Sequence, residues 1–165
     1  MKKWIRPLIL SLILVGAFFV LKPYLFPSEE DIIKKTFSHL ADEISFSAGT
    51  SMVAKMATVD GIRKYFTQDV VLSFDSIHPE VENISGRASV MEMFTLSRTL
   101  VSLDVSVTDI GVILSEDKKS ATVTLVGKVS LDHSASGHSY QLVQFECVKN
   151  ENQWQIAKAE TLKLL

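Results

Sequence analysis

The sequence predicts an α+β domain preceded by one transmembrane helix, and three patterns carry that expectation. An apolar segment of about 20 residues lies near the N-terminus, long enough at 1.5 Å per residue to cross roughly 30 Å of hydrocarbon. Apolar residues then recur at helical spacing as far as Phe66. From Val70, and most clearly from Val101, the apolar period becomes two, as in half-buried strands. Helices first and a run of strands afterwards is the order of an α+β domain. At 165 residues the chain suffices for one domain with a core, and is too short for two ordinary ones.

Residues 1–27 read as a cytoplasmic start and a signal-anchor. Between Pro7 and Phe26 the one charge is Lys22, placed where its ammonium can reach the interface, and Trp4 and Tyr24 flank the segment. A cleaved signal peptide is the competing reading; the best cut, after Ala17, would leave Phe-Phe-Val-Leu as an exposed apolar end, which favours the uncleaved anchor. Basic residues Lys2, Lys3 and Arg6 precede the span and keep the N-terminus in the cytoplasm. The expectation is a single-pass protein of a bacterial inner membrane, its body periplasmic or extracellular.

Residues 28–165 form the body. Ser28 with Glu29, Glu30 and Asp31 matches a capping box at the positive end of a helix dipole. Ile33, Phe37, Leu40 and Ile44 continue this helix over Glu29–Phe46. After Ser47-Ala48-Gly49 comes a second apolar series, Val53, Met56 and Val59. Gly61 is expected to separate it from a short third helix with Ile62, Tyr65 and Phe66. Val70–Phe74 reads as a strand, Ser85-Gly86 opens a helix bearing Val90, Phe94 and Leu100, and four long strands follow as an antiparallel meander. Their turns are SEDKK, DHSASGHS and KNENQ.

Charge narrows the function classes. Four of the 17 basic residues and none of the 19 acidic ones fall in residues 1–27, so the body carries six more acids than bases. Without a basic cluster it is a poor ligand for polyanions, and no nucleic-acid partner is expected. The lone cysteine, Cys147, excludes an intrachain disulfide and a multi-cysteine zinc site; its place among Val143 and Phe145 reads as core.

Three segments, YFTQDVVLSFD, ISGRASVMEMF and QWQI, by their order and spacing together resemble the nuclear transport factor 2-like superfamily, with its SnoaL-type cyclases and ketosteroid isomerases. YFTQDVVLSFD resembles the aromatic-x-x-Asp-apolar start of the family's first strand. ISGRASVMEMF resembles the Gly-Arg-x-x-apolar start of the next helix, and QWQI the closing strand. The resemblance implies a cone-shaped, curved antiparallel sheet packed on the N-terminal helices, a cavity open at one end, and dimers through the outer sheet face. In the isomerases the base stands five residues after the strand-opening aspartate; counted from Asp69 that position is Phe74, and Asp75 is one step off. A one-residue step turns a strand side chain to the other face. The isomerase tyrosine on the first helix is also missing from Glu29–Phe46. No catalytic residue is assigned.

Tyr65, Phe74, Asp75 and His78 are the candidates for lining the implied cavity. Asp75 could orient His78 as a base, against the plainer reading of a loop histidine beside Pro79. His133 and His138 bracket a flexible hairpin and make no defined metal site; neither a metal nor a cofactor is expected. His39 and Glu43 read as a solvated i, i+4 pair, and Gln144 and Glu146 as a solvated sheet face or interface. No nucleophile elbow, phosphate loop or HExxH pattern occurs, and Asn83-Ile84-Ser85 matches a glycosylation sequon. The leading function is a membrane-tethered, non-catalytic interaction or scaffold subunit, similar in architecture alone to the inner-membrane scaffold of type IV secretion. A binding protein for a small apolar ligand near the bilayer comes second, and a cyclase- or isomerase-type enzyme third.

Overall fold

The computed structural model describes residues 27–74, 83–99, 102–131 and 138–164. The expected span Pro7–Phe26 lies outside these, and among the described residues no helix is long and apolar enough to cross a membrane.

Helix α1 (Glu29–Ile44) starts with the expected capping box: Ser28 Oγ accepts from the Asp31 amide at 3.2 Å, and Asp31 accepts from the Ser28 amide at 3.4 Å. Its buried stripe is Ile33, Phe37, Leu40 and Ala41. It stops before Phe46 because Phe46 turns extended and pairs with Leu103, while the Ser45 hydroxyl returns to the Ala41 carbonyl at 2.9 Å. Helix α2 (Met52–Ile62) is capped by Ser51. Gly61 does not break it. A Cβ at Gly61 would stand 3.1 Å from Glu43 Oε2, so the glycine lets α2 approach α1 closely. The expected third helix shrinks to one 3₁₀ turn, Arg63–Tyr65, and Phe66 already belongs to strand β1 (Phe66–Ser73), paired with Ile156.

Strand β2 (Asn83–Ser85) precedes α3 (Arg87–Ser97), whose N-cap is Gly86 at φ 85°. The four long strands follow as expected: β3 (Leu103–Leu114), β4 (Ser120–Leu131), β5 (His138–Asn150) and β6 (Gln153–Leu164). They form one six-stranded sheet in the order β2-β1-β6-β5-β4-β3. The expected all-antiparallel sheet is instead mixed, because β1 runs parallel to β6. No hairpin joins these two strands, so nothing local sets their direction. Register shifts between Thr108 and Gly111, Leu142 and Val143, and Glu146 and Cys147 insert extra residues that bend and twist the strands around α1.

Register also gives the molecule two unlike ends. Leu103↔Leu131, Ser130↔His138, Gln141↔Leu164 and Ser73↔Glu160 gather at one end; the β3–β4 and β5–β6 turns lie at the other. At the turn end, Lys149 Nζ and Trp154 Nε1 donate to Glu29 at 2.6 and 2.9 Å and hold the start of α1. There Ile33, Val123, Cys147 and Trp154 fill the interior. Sixteen residues later, about 24 Å along its axis, α1 reaches the other end.

Candidate functional site

The described residues do not fill that other end. A cavity of about 230 Å³ lies between the second half of α1, α3 and the inner sheet face. Helical spacing brings Phe37, Leu40, Ala41 and Ile44 to one side of it. Strand alternation supplies Val105 and Val107 from β3, Leu125, Gly127 and Val129 from β4, and Gln141, Val143 and Phe145 from β5. Met93 and Phe94 come from α3, and Phe74 from just beyond β1. Phe37 and Phe145 meet edge to face, with centroids 4.8 Å apart. Among the described lining residues Gln141 carries the one polar side chain, and none is titratable. The cavity sits at the end of α1 far from Ser28.

Of the four sequence candidates, Phe74 lines this cavity. Tyr65 does not: its hydroxyl donates to Glu43 Oε1 at 3.0 Å, which also accepts from Lys64 Nζ at 3.0 Å. Burial, and then the Glu43 carboxylate, raise the Tyr65 pKa. Tyr65 instead borders a separate recess of about 220 Å³ with Ile32, Thr36, Lys64 and Trp154. Asp75, His78 and His133 lie outside the described residues, as does the His138 side chain. His39 is exposed, while Glu43 engages Lys64 and Tyr65, so they do not act as the expected pair. Gln144 and Glu146 stand on the outer face as anticipated: Gln144 reaches Glu160 at 3.4 Å, and Lys158 bridges Glu146 and Glu160 at 3.6 and 2.7 Å. Cys147 is buried as expected, and burial pushes its thiol up to about 12. Among the described residues no group of three His, Cys, Asp or Glu could hold a metal ion.

Sequence reasoning missed Gly127 and Gln141, although both sit at the inward parity of their strands, between Leu125 and Val129 and before Val143 and Phe145. It also missed Arg98. That guanidinium is buried, donates to the Ile44 and Glu43 carbonyls at 2.9 and 3.0 Å, and stacks 4.7 Å from the Phe46 ring centroid. Lys55 Nζ lies 4.4 Å from the same centroid and donates to the Arg98 carbonyl at 3.3 Å. These cations satisfy helix C-termini.

No protein-family model and no curated protein matches the chain. Solved structures do. Nuclear transport factor 2 from Cryptosporidium parvum matches over 84% of this chain and 96% of its own, with TM-score 0.58 and 15% identity. A putative scytalone dehydratase from Novosphingobium aromaticivorans matches over 81% and 84%, with TM-score 0.56 and 11% identity. A Mycobacterium tuberculosis protein of unknown function reaches 22% identity and TM-score 0.55 over 67% of this chain and 62% of its own. The chain thus spans less than two thirds of that last protein's length. At these identities the likeness assigns the fold: it is nuclear transport factor 2-like.

Proposed function

We propose that this domain is a non-catalytic binding module, tethered to a bacterial inner membrane by Pro7–Phe26, whose cavity holds one small apolar molecule. One observation carries the reading: about 230 Å³ is lined, Gln141 apart, by apolar residues, with no acid, base or nucleophile among the described lining residues. Apolar volume left unfilled forfeits packing contacts, so a core selected for stability alone tends to close it. An apolar cavity of about 150 Å³ takes up benzene; this one has room for a molecule about half as large again. Phe74 in the cavity wall supports a non-catalytic role, since relatives with isomerase activity have their base at that position.

The cavity lies a helix length from Ser28, so the tether would present it to the aqueous side and to partners rather than to lipid. Gas chromatography with mass spectrometry on solvent extracts of the purified full chain tests the reading. A stoichiometric small apolar compound is the expected result; an empty protein that also fails to take up naphthalene would reject it. A scaffold or homodimer reading is favoured by the outer sheet face, where Ile113 is 73% exposed and Tyr140 and Leu162 are also open. Light scattering of the wild type and Ile113→Asp checks that reading: a monomeric wild type would sink the homodimer.

A further inference from the structure

Two residues in the cavity wall break the rules of their strands, and they stand opposite each other. Gly127 and Gln141 are cross-strand partners in β4 and β5, and both line the cavity. Glycine inside a strand weakens it and usually marks a turn, a bulge or a close backbone approach. None of these applies at Gly127. Gly86, not Gly127, is the described glycine with positive φ, and the β4–β5 register runs unbroken past it. A Cβ at Gly127 would meet the Gln141 carbonyl oxygen and Leu125 Cδ1 at 4.0 Å, an ordinary contact. What the glycine leaves is space. Beside that space the half-buried Gln141 turns an amide into an otherwise apolar wall, and no described residue hydrogen-bonds it. Its amide atoms are not among the buried polar atoms without a partner, so water satisfies them until a ligand with a matching group takes that place.

We propose that Gly127 and Gln141 form the polar end of the ligand site, and that the ligand is an uncharged molecule, apolar except for one hydroxyl or carbonyl group. This rests on the cavity being a ligand site. An amide both donates and accepts, so either group finds a partner in Gln141. A charged group does not fit, because no counter-ion lines the described wall to offset its desolvation. Gln141 lies near the start of β5, at the open end of the sheet, whereas Phe37 and Phe145 lie deeper. The polar group therefore faces outward and the apolar body points in.

Calorimetric titration of the full chain in amphipol tests this at pH 7 with naphthalene, 2-naphthol and 2-naphthoate. The folded state of each variant is checked by near-ultraviolet circular dichroism. In the wild type 2-naphthol should bind about 3- to 10-fold more tightly than naphthalene, the worth of one neutral hydrogen bond. 2-Naphthoate should bind more weakly than either. Gln141→Leu should erase the naphthol preference and keep naphthalene binding; Gly127→Leu should abolish uptake of all three, and the milder Gly127→Ala should weaken it. Naphthoate binding as tightly as naphthol, or a naphthol preference that survives in Gln141→Leu, overturns the polar-end assignment and leaves the cavity reading standing. Equal naphthalene uptake by wild type and Gly127→Leu, or none by the wild type, overturns the cavity reading itself and this assignment with it.

Discussion

A buried cation is normally a liability, and Arg98, at 1% exposure, is the most deeply buried charge described. Its compensation is local: the last carbonyls of α1, at the negative end of the helix dipole, accept both of its terminal nitrogens. Burial lowers its pKa, yet the two carbonyls and the Phe46 face keep the charged form in place. Arg98→Met should strand two buried acceptors and lower stability by about 2–4 kcal/mol, read from the urea midpoint; Arg98→Lys should recover at most part of that, lacking the fork. Glu29 offers a pH-dependent counterpart. Hydrogen bonds from Lys149 and then Trp154 hold its carboxyl below the ordinary value. The folded state therefore binds this proton less readily than the unfolded chain. The stabilisation is present above the unfolded pKa of about 4.5 and is lost as pH falls through the lower folded value. Trp154 fluorescence should change in that acid window, and Glu29→Gln should remove the change while leaving neutral-pH spectra near those of the wild type.

At the scale of elements, what was legible in the sequence was what local chemistry determines. The Ser28 cap, the α1 stripe and the four long strands are written in spacings that have one structural solution. The segment after Gly61 has two: Ile62, Tyr65 and Phe66 are all buried, and their spacing of three and four fits a helix as well as a 3₁₀ turn running into a strand. The three residues of β2 are too few to show a period, and the parallel β1–β6 pair joins segments remote in sequence. Asp109 carries a subtler signal. At φ 53° it forms the bulge that shifts the inward parity of β3 from Val105 and Val107 to Ile110, Val112 and Leu114. Deleting Asp109 should bring both sets onto one face of a regular, straighter strand, so cooperative thermal unfolding should persist while the bend, and with it naphthalene uptake, is reduced. Gly61 is tested by a double-mutant cycle. Gly61→Ala should gain less than the usual roughly 1 kcal/mol of an exposed helix site while Glu43 Oε2 stands 3.1 Å away, and recover that gain in a Glu43→Ala background.

For the whole molecule, the site was less legible than the fold because a cavity is made by curvature. Phe74 could be located by counting from Asp69, but the space between α1 and the sheet depends on bulges and on strand pairings that no local pattern announces. The same wholeness bears on the tether. Helix α1 closes its own N-terminus with Ser28 and Asp31. Its first turn is held by Lys149 and Trp154. A fragment beginning at Ser28 should therefore fold without residues 1–27, giving the near-ultraviolet signal of Trp154 found in the full chain. Cutting after Ser28 should cost about 1 kcal/mol, the worth of one N-cap. The two proteins should differ in where they go: the full chain should stay with membranes through alkaline carbonate washing, and the Ser28 fragment should be released. Carbonate release of the full chain would sink the tether while leaving the cavity untouched. A fragment without tertiary signal would show instead that the first 27 residues are part of the fold.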